Sequence, residues 1–236
     1  MEKLTFALDG PVALVTMDDG KANVLSHGMI DALHRALDRA ENEARVLVLA
    51  GRTGLFCAGF DLGPMTKGPE SARDLVKAGT ELTMRLLLQP QPVVAACTGH
   101  ALAAGALLLL SVDTRIGSEG KFKIGLNEVS VGLRLPIFAA ELARSRLSSR
   151  HLVGATVESR LYDPKTACDV GFLDSTVVVE DCIAAAVREA HKLSKLNLRA
   201  LADTKKTLRG AMIEHVRRTL EADLADLNIS EMQAKG

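Results

Sequence analysis

Phe56-Cys57-Ala58-Gly59-Phe60-Asp61-Leu62 and Thr98-Gly99-His100-Ala101-Leu102-Ala103-Ala104-Gly105-Ala106 are two turns of small residues, each following an apolar strand. The strands, Val46-Leu47-Val48-Leu49-Ala50 and Val93-Val94-Ala95-Ala96-Cys97, are continuous apolar runs of the kind buried on both faces of a parallel sheet. Around them the pattern turns helical. Ile30, Leu33, Leu37 and Ala40 recur behind Ser26, which is placed to cap their helix. Leu75, Leu82 and Leu86 share one face of a helix over 70–89, ended by Pro90 and Pro92. A helix over 104–111 leads into the strand Thr114-Arg115-Ile116-Gly117. This alternation predicts an α/β fold with right-handed crossovers.

The rest of the chain extends that pattern. Asp9-Gly10-Pro11 joins two alternating runs into a β-hairpin, and residues 18–23 form a polar loop. Residues 51–69 read as a second loop. Beyond Pro136 the chain is mostly helical, over 139–147, 164–170, 183–193, 198–210 and 211–227, with one strand near 176–179. The tail, 228–236, reads as frayed.

Composition excludes several functions. Lys plus Arg and Asp plus Glu are 29 each, so no net charge favours nucleic acid or an anionic membrane surface. With no Trp and one Tyr, base-stacking platforms are also absent. The longest apolar run, 101–112, falls short of the roughly 20 residues of a membrane helix. Four cysteines with no CxxC pair and no signal-peptide pattern suggest a reducing, cytoplasmic setting. Cys57 has no basic neighbour to activate it and reads as packing. The six histidines show no ligand spacing, so no metal is expected.

Gly59 permits backbone angles that a Cβ would forbid, which lets the Phe60 N–H face a cleft. Ala104 opens an apolar helix, and the first N–H groups of a helix lack internal partners. Two such donors converging on one point would bind the oxyanion of a carbonyl or thioester. Taken singly, each turn is equally explained by tight packing. The run Ile124-Gly125-Leu126-Asn127-Glu128 adds Glu128 as a candidate proton-transfer group, the alternative being a surface acid on a loop.

Taken together, these runs resemble the enoyl-CoA hydratase/isomerase (crotonase) superfamily. Phe56 to Leu62 resembles its F-[CS]-A-G-x-D-[IL] run, and Thr98 to Ala106 its N-G-x-A-x-G-G-G run. Asp113-Thr114-Arg115-Ile116, Val153-Gly154 and residues 167–178 resemble the later motifs, so the likeness covers residues 1–210. It implies a spiral of β-β-α units over 1–190 and a helical oligomerisation region over 191–236. It also implies an acyl-CoA substrate, with coenzyme A part of that substrate and no separate cofactor, and a homotrimer or hexamer. The thioester oxygen would sit between the N–H groups of Phe60 and Ala104. Lys21, Ala22, Ala58, Gly59, Asp61 and Leu107 would border the substrate. Lys205 and Lys206 would either meet phosphates or form a solvated helix face.

Leu107 bears on the reaction. A family hydratase uses two carboxylates to hold water; the first would align with Leu107 and the second with Glu128. One carboxylate cannot hold water in that way, but it can move a proton from C2 of a 3-enoyl-CoA to C4. The Glu128 run also resembles that of single-glutamate Δ3,Δ2-enoyl-CoA isomerases. Isomerisation by Glu128 is therefore the expectation. A hydratase, another thioester-enolate lyase or hydrolase, and a non-catalytic acyl-CoA-binding protein are the alternatives. The chain departs from the pattern at Ala103 and Ala104, where glycines are usual, and at Arg134, which would pair with an acid or the substrate. It also lacks the usual C-terminal E-G…A-F…K-R helix. His100, within the second motif, reads as structural.

Overall fold

The computed structural model describes residues 3–227. Strands β1 (Leu4–Asp9) and β2 (Val12–Met17) form the antiparallel hairpin that Asp9-Gly10-Pro11 predicts. Helix α1 (His27–Glu43) follows, capped by Ser26, whose Oγ accepts the Met29 N–H at 3.3 Å. Strand β3 (Val46–Ala50) then pairs parallel to β2.

Residues 51–69 depart from the expected loop. They contain β4 (Gly54–Cys57) and α2 (Leu62–Lys67), before α3 (Pro69–Leu88). The same step recurs after β5 (Val93–Cys97), where β6 (Gly99–Leu102) precedes α4 (Ala104–Leu110). It recurs again after β7 (Thr114–Ser118), where β8 (Ile124–Gly125) precedes α5 (Ile137–Arg146). The first strand of each pair enters a six-stranded sheet ordered β1-β2-β3-β5-β7-β9, in which β9 is Ser175–Val177. The second enters a three-stranded sheet ordered β4-β6-β8. This is the spiral of β-β-α units. Backbones in the small sheet lie so close that a Cβ on Gly99 would fall 2.0 Å from the Gly54 carbonyl carbon.

The central strands β3 and β5 are buried on both sides. In β3, Val46, Val48 and Ala50 pack against α8 (Cys182–Leu193), while Leu47 and Leu49 face the main core with Phe56, Leu82 and Leu86. Helices α6 (Leu152–Thr156) and α7 (Pro164–Val170) complete the central region. The two C-terminal helices expected over 198–227 are a single helix, α9 (Leu198–Ala225). Gly210, read as a break, lies inside it with nothing within 4 Å of a built Cβ. A helical glycine costs about 1 kcal/mol, which flanking helix formers and packing on α3 and α5 override. The tail read as frayed, 228–236, lies outside the described residues.

Candidate active site

The first turn is held from two sides. Leu25 donates its N–H to the Gly59 carbonyl at 2.8 Å and accepts the Asp61 N–H at 3.2 Å. This parallel bridge turns the N–H of Phe60 the other way. The Phe60 ring packs on α3 at Gly79, where a Cβ would fall 2.4 Å from the ring. Behind the turn, Ala58 donates to the Ala22 carbonyl at 3.1 Å, and the buried Asn23 amide donates to the Met17 and Phe56 carbonyls. The loop over 18–23 is thereby fixed against β4.

The second turn meets the first at Gly59. Gly59 has φ of 110°, and a Cβ there would lie 3.2 Å from the Ala103 Cβ and 3.7 Å from the Ala104 nitrogen. Ala103 has φ 49° and ψ −121°, a conformation that favours glycine, and its N–H is bound to the Gly125 carbonyl at 3.0 Å. Ala104 is the first helical residue, and the first helical bond runs from Leu107 N–H to Ala103 at 3.0 Å. Among the described residues, neither the Phe60 nor the Ala104 N–H donates to a protein acceptor.

Both turns border a cavity of about 530 Å³. Ala22, Ala58, Phe60, Leu107 and Glu128 line it, five of the positions singled out in the sequence. Glu128 follows β8 and precedes a 3-10 turn, Val129–Val131, and its carbonyl accepts from Val131 and Leu133. Its side chain is buried, Oε2 has no partner among the described residues, and burial pushes its pKa up to about 7. Among the described residues it is the sole carboxylate in the lining. Leu107, buried on α4, presents apolar surface where a second acid would stand.

The other predicted positions lie elsewhere. Gly59 is buried beneath Ala103, and Ala104 is buried at the start of α4. Asp61 caps α2 by accepting the Gly63 N–H at 3.0 Å, and exposed Lys21 is held through its carbonyl by Arg52. Neither lines the cavity. Lys205 corrects an expectation. Its ammonium is buried and donates to the Gln89 and Gln91 carbonyls and to Asp113 at 2.6 Å, leaving no contact for a phosphate. Lys206 is exposed. His100 accepts the Lys123 N–H and packs edge-on against Phe122, as its structural reading requires. Burial pushes the Cys57 thiol up to about 12, which excludes it as a nucleophile. Arg134 pairs with Asp223. Asn127, whose buried Oδ1 is unpartnered, and Leu227, at the end of α9, also line the cavity. Asn127 stands beside Glu128 in the sequence, but nothing local marks Leu227. No helix among the described residues is long and apolar enough to cross a membrane.

Two free backbone donors and one buried carboxyl, set on a spiral of β-β-α units, define a protein of the crotonase fold. The chain belongs to the enoyl-CoA hydratase/isomerase family, whose model matches residues 8–235. A probable enoyl-CoA hydratase of Bacillus subtilis is 31% identical over 205 residues, spanning 81% of this chain and 78% of that protein. The rat mitochondrial enoyl-CoA delta isomerase 1 is 28% identical over 219 residues, spanning 90% and 75%. A family protein from Pseudomonas syringae superposes with a TM-score of 0.93 at 38% identity, covering 96% of this chain and 98% of that one. The human mitochondrial delta3-delta2-enoyl-CoA isomerase superposes with a TM-score of 0.91 at 27% identity, covering 95% and 90%.

Proposed function

We propose that this protein is an acyl-CoA isomerase that moves the double bond of a 3-enoyl-CoA into conjugation with the thioester. The observation that carries the reading is that Glu128 is, among the described residues, the only carboxylate lining the cavity, with apolar Leu107 where a second acid would stand. The thioester oxygen accepts from the N–H groups of Phe60 and Ala104. The Glu128 carboxylate takes a C2 proton, and the electron pair moves into a dienolate whose oxygen charge those donors stabilise. The same group, now neutral, returns the proton to C4, giving the 2-enoyl-CoA. A carboxyl with a pKa of about 7 suits both halves of this transfer. The Lys21-Ala22-Asn23 loop borders the coenzyme A end of the substrate, and the active form is a homotrimer or hexamer.

The family includes relatives named hydratases. Addition of water needs it held and polarised from two sides, and Leu107 supplies no second group. The test follows absorbance of the conjugated thioester with purified protein and 3-hexenoyl-CoA. Turnover is expected, with a loss of about 10²- to 10⁴-fold in Glu128→Gln. Isomerisation unchanged in that variant overturns the role of Glu128. Hydration of 2-hexenoyl-CoA as fast as isomerisation favours the hydratase. Tight acyl-CoA binding without turnover of any thioester favours a binding protein.

A further inference from the structure

Arg134 is the one cation among the described residues that line the cavity, and the reaction above makes no use of it. Pro136, Phe138 and Leu227, which line the cavity as well, are apolar. The guanidinium is held in place. Nη1 donates to Asp223 Oδ1 at 2.6 Å, and Nη2 donates to the Asp223 carbonyl at 2.8 Å. The other Asp223 oxygen accepts the Ile137 N–H at 2.7 Å, so both carboxylate oxygens are engaged. The Asp223 side chain is 2% exposed, whereas that of Arg134 is 43% exposed.

A guanidinium carries five N–H groups. Two are committed to Asp223, and among the described residues the others have no protein acceptor. An alkyl chain laid against them would separate them from water and return no hydrogen bond, a costly exchange for a charged group. A chain bearing oxygen there would replace the water bond for bond. Asp223 already balances the Arg134 charge, so a second carboxylate beside it would lack a cation of its own. The matching ligand is therefore a neutral acceptor.

We propose that Arg134 is a specificity-determining residue, favouring acyl groups that carry a hydroxyl or carbonyl oxygen beyond the reacting carbons. This rests on the acyl-CoA reading of the cavity. The test measures calorimetric Kd values for hexanoyl-CoA, 6-hydroxyhexanoyl-CoA and hexanedioyl-CoA, none of which needs turnover. The hydroxylated thioester is expected to bind tightest, by about tenfold over hexanoyl-CoA, the scale of one hydrogen bond to a charged group. Arg134→Met should abolish that difference. Arg134→Met combined with Asp223→Asn should abolish it too, without stranding a buried carboxylate. Equal affinities in the native protein, or a preference that survives both variants, overturn the proposal. Tightest binding of hexanedioyl-CoA overturns the choice of a neutral acceptor. Binding of the three with the expected order, but no isomerisation of 3-hexenoyl-CoA, overturns the isomerase reading alone. Failure of all three to bind overturns both.

Discussion

Glu128 has an ordinary value of 4.5 and is raised by burial to about 7 in the folded protein. The folded state therefore prefers the neutral carboxyl, and stability falls as pH rises from 4.5 towards 7. That difference corresponds to about 3 kcal/mol at pH 8, none of it present below pH 4. Glu128→Gln should accordingly raise the urea midpoint at pH 8 and leave it unchanged at pH 4. An equal effect at both would show that burial of the charge is not the cause. In the native protein, kcat/KM for isomerisation should rise with pH through about 7, as the base ionises. A strained backbone position lines the same cavity. Ala103 holds φ 49° and ψ −121°, where a Cβ costs about 1–3 kcal/mol. Ala103→Gly relieves this but frees the unfolded chain by up to about 1 kcal/mol, so a net gain near 1 kcal/mol is expected in urea unfolding. A loss would mean that the Ala103 Cβ contact with the first turn outweighs its strain.

Among the elements, length decided what the sequence made legible. The apolar strands β3 and β5 and the amphipathic helices α1 and α3 announce themselves, because their own residues carry the pattern. The small sheet does not. Its strands span four, four and two residues, too few for a pattern, and they form by pairing with segments distant in the chain. The two turns that carry the Phe60 and Ala104 N–H groups were nevertheless readable, because small residues mark the place where Gly59 meets Ala103. Arg134 was visible as an anomaly, but its partner Asp223 was not. That pairing depends on how α9 folds back, which no local signal records. The same gap misled the reading of Lys205. Exposed Lys206 and buried Lys205 are alike in sequence, and only the packing of α9 on the segment 89–91 separates them. Lys205→Met should cost about 3 kcal/mol, because it strips Asp113 of a buried partner, although Arg209 still holds that carboxylate at 2.9 Å. Lys206→Met should change stability by less than about 0.5 kcal/mol. Gly210→Ala, with open space around its Cβ, should stabilise the continuous helix by about 1 kcal/mol. Thermal denaturation of the three variants side by side tests all of these, and a destabilising Gly210→Ala would argue for a bend there.

For the whole molecule, the segment that carries Glu128 reaches the outer surface. Ser130 donates its N–H to Ser159 Oγ at 3.2 Å, which ties the 3-10 turn to the segment after α6. Val129 is 46% exposed, and Val153 on α6 and Val157 just after it are 58% and 64% exposed. Exposed apolar side chains suit a contact with another copy. If the proposed trimer or hexamer uses this face, assembly would order the turn that holds the Glu128 carboxylate in its cavity. Specific activity should then fall on dilution together with the mass seen by light scattering. Val153→Glu with Val157→Glu should give the 25.1 kDa monomer and lower kcat more than it raises KM, because the base is loosened while the thioester site is left whole. A protein that keeps its mass in this variant assembles through another face. A monomer that keeps full kcat would show that the Glu128 turn is ordered by its own chain alone.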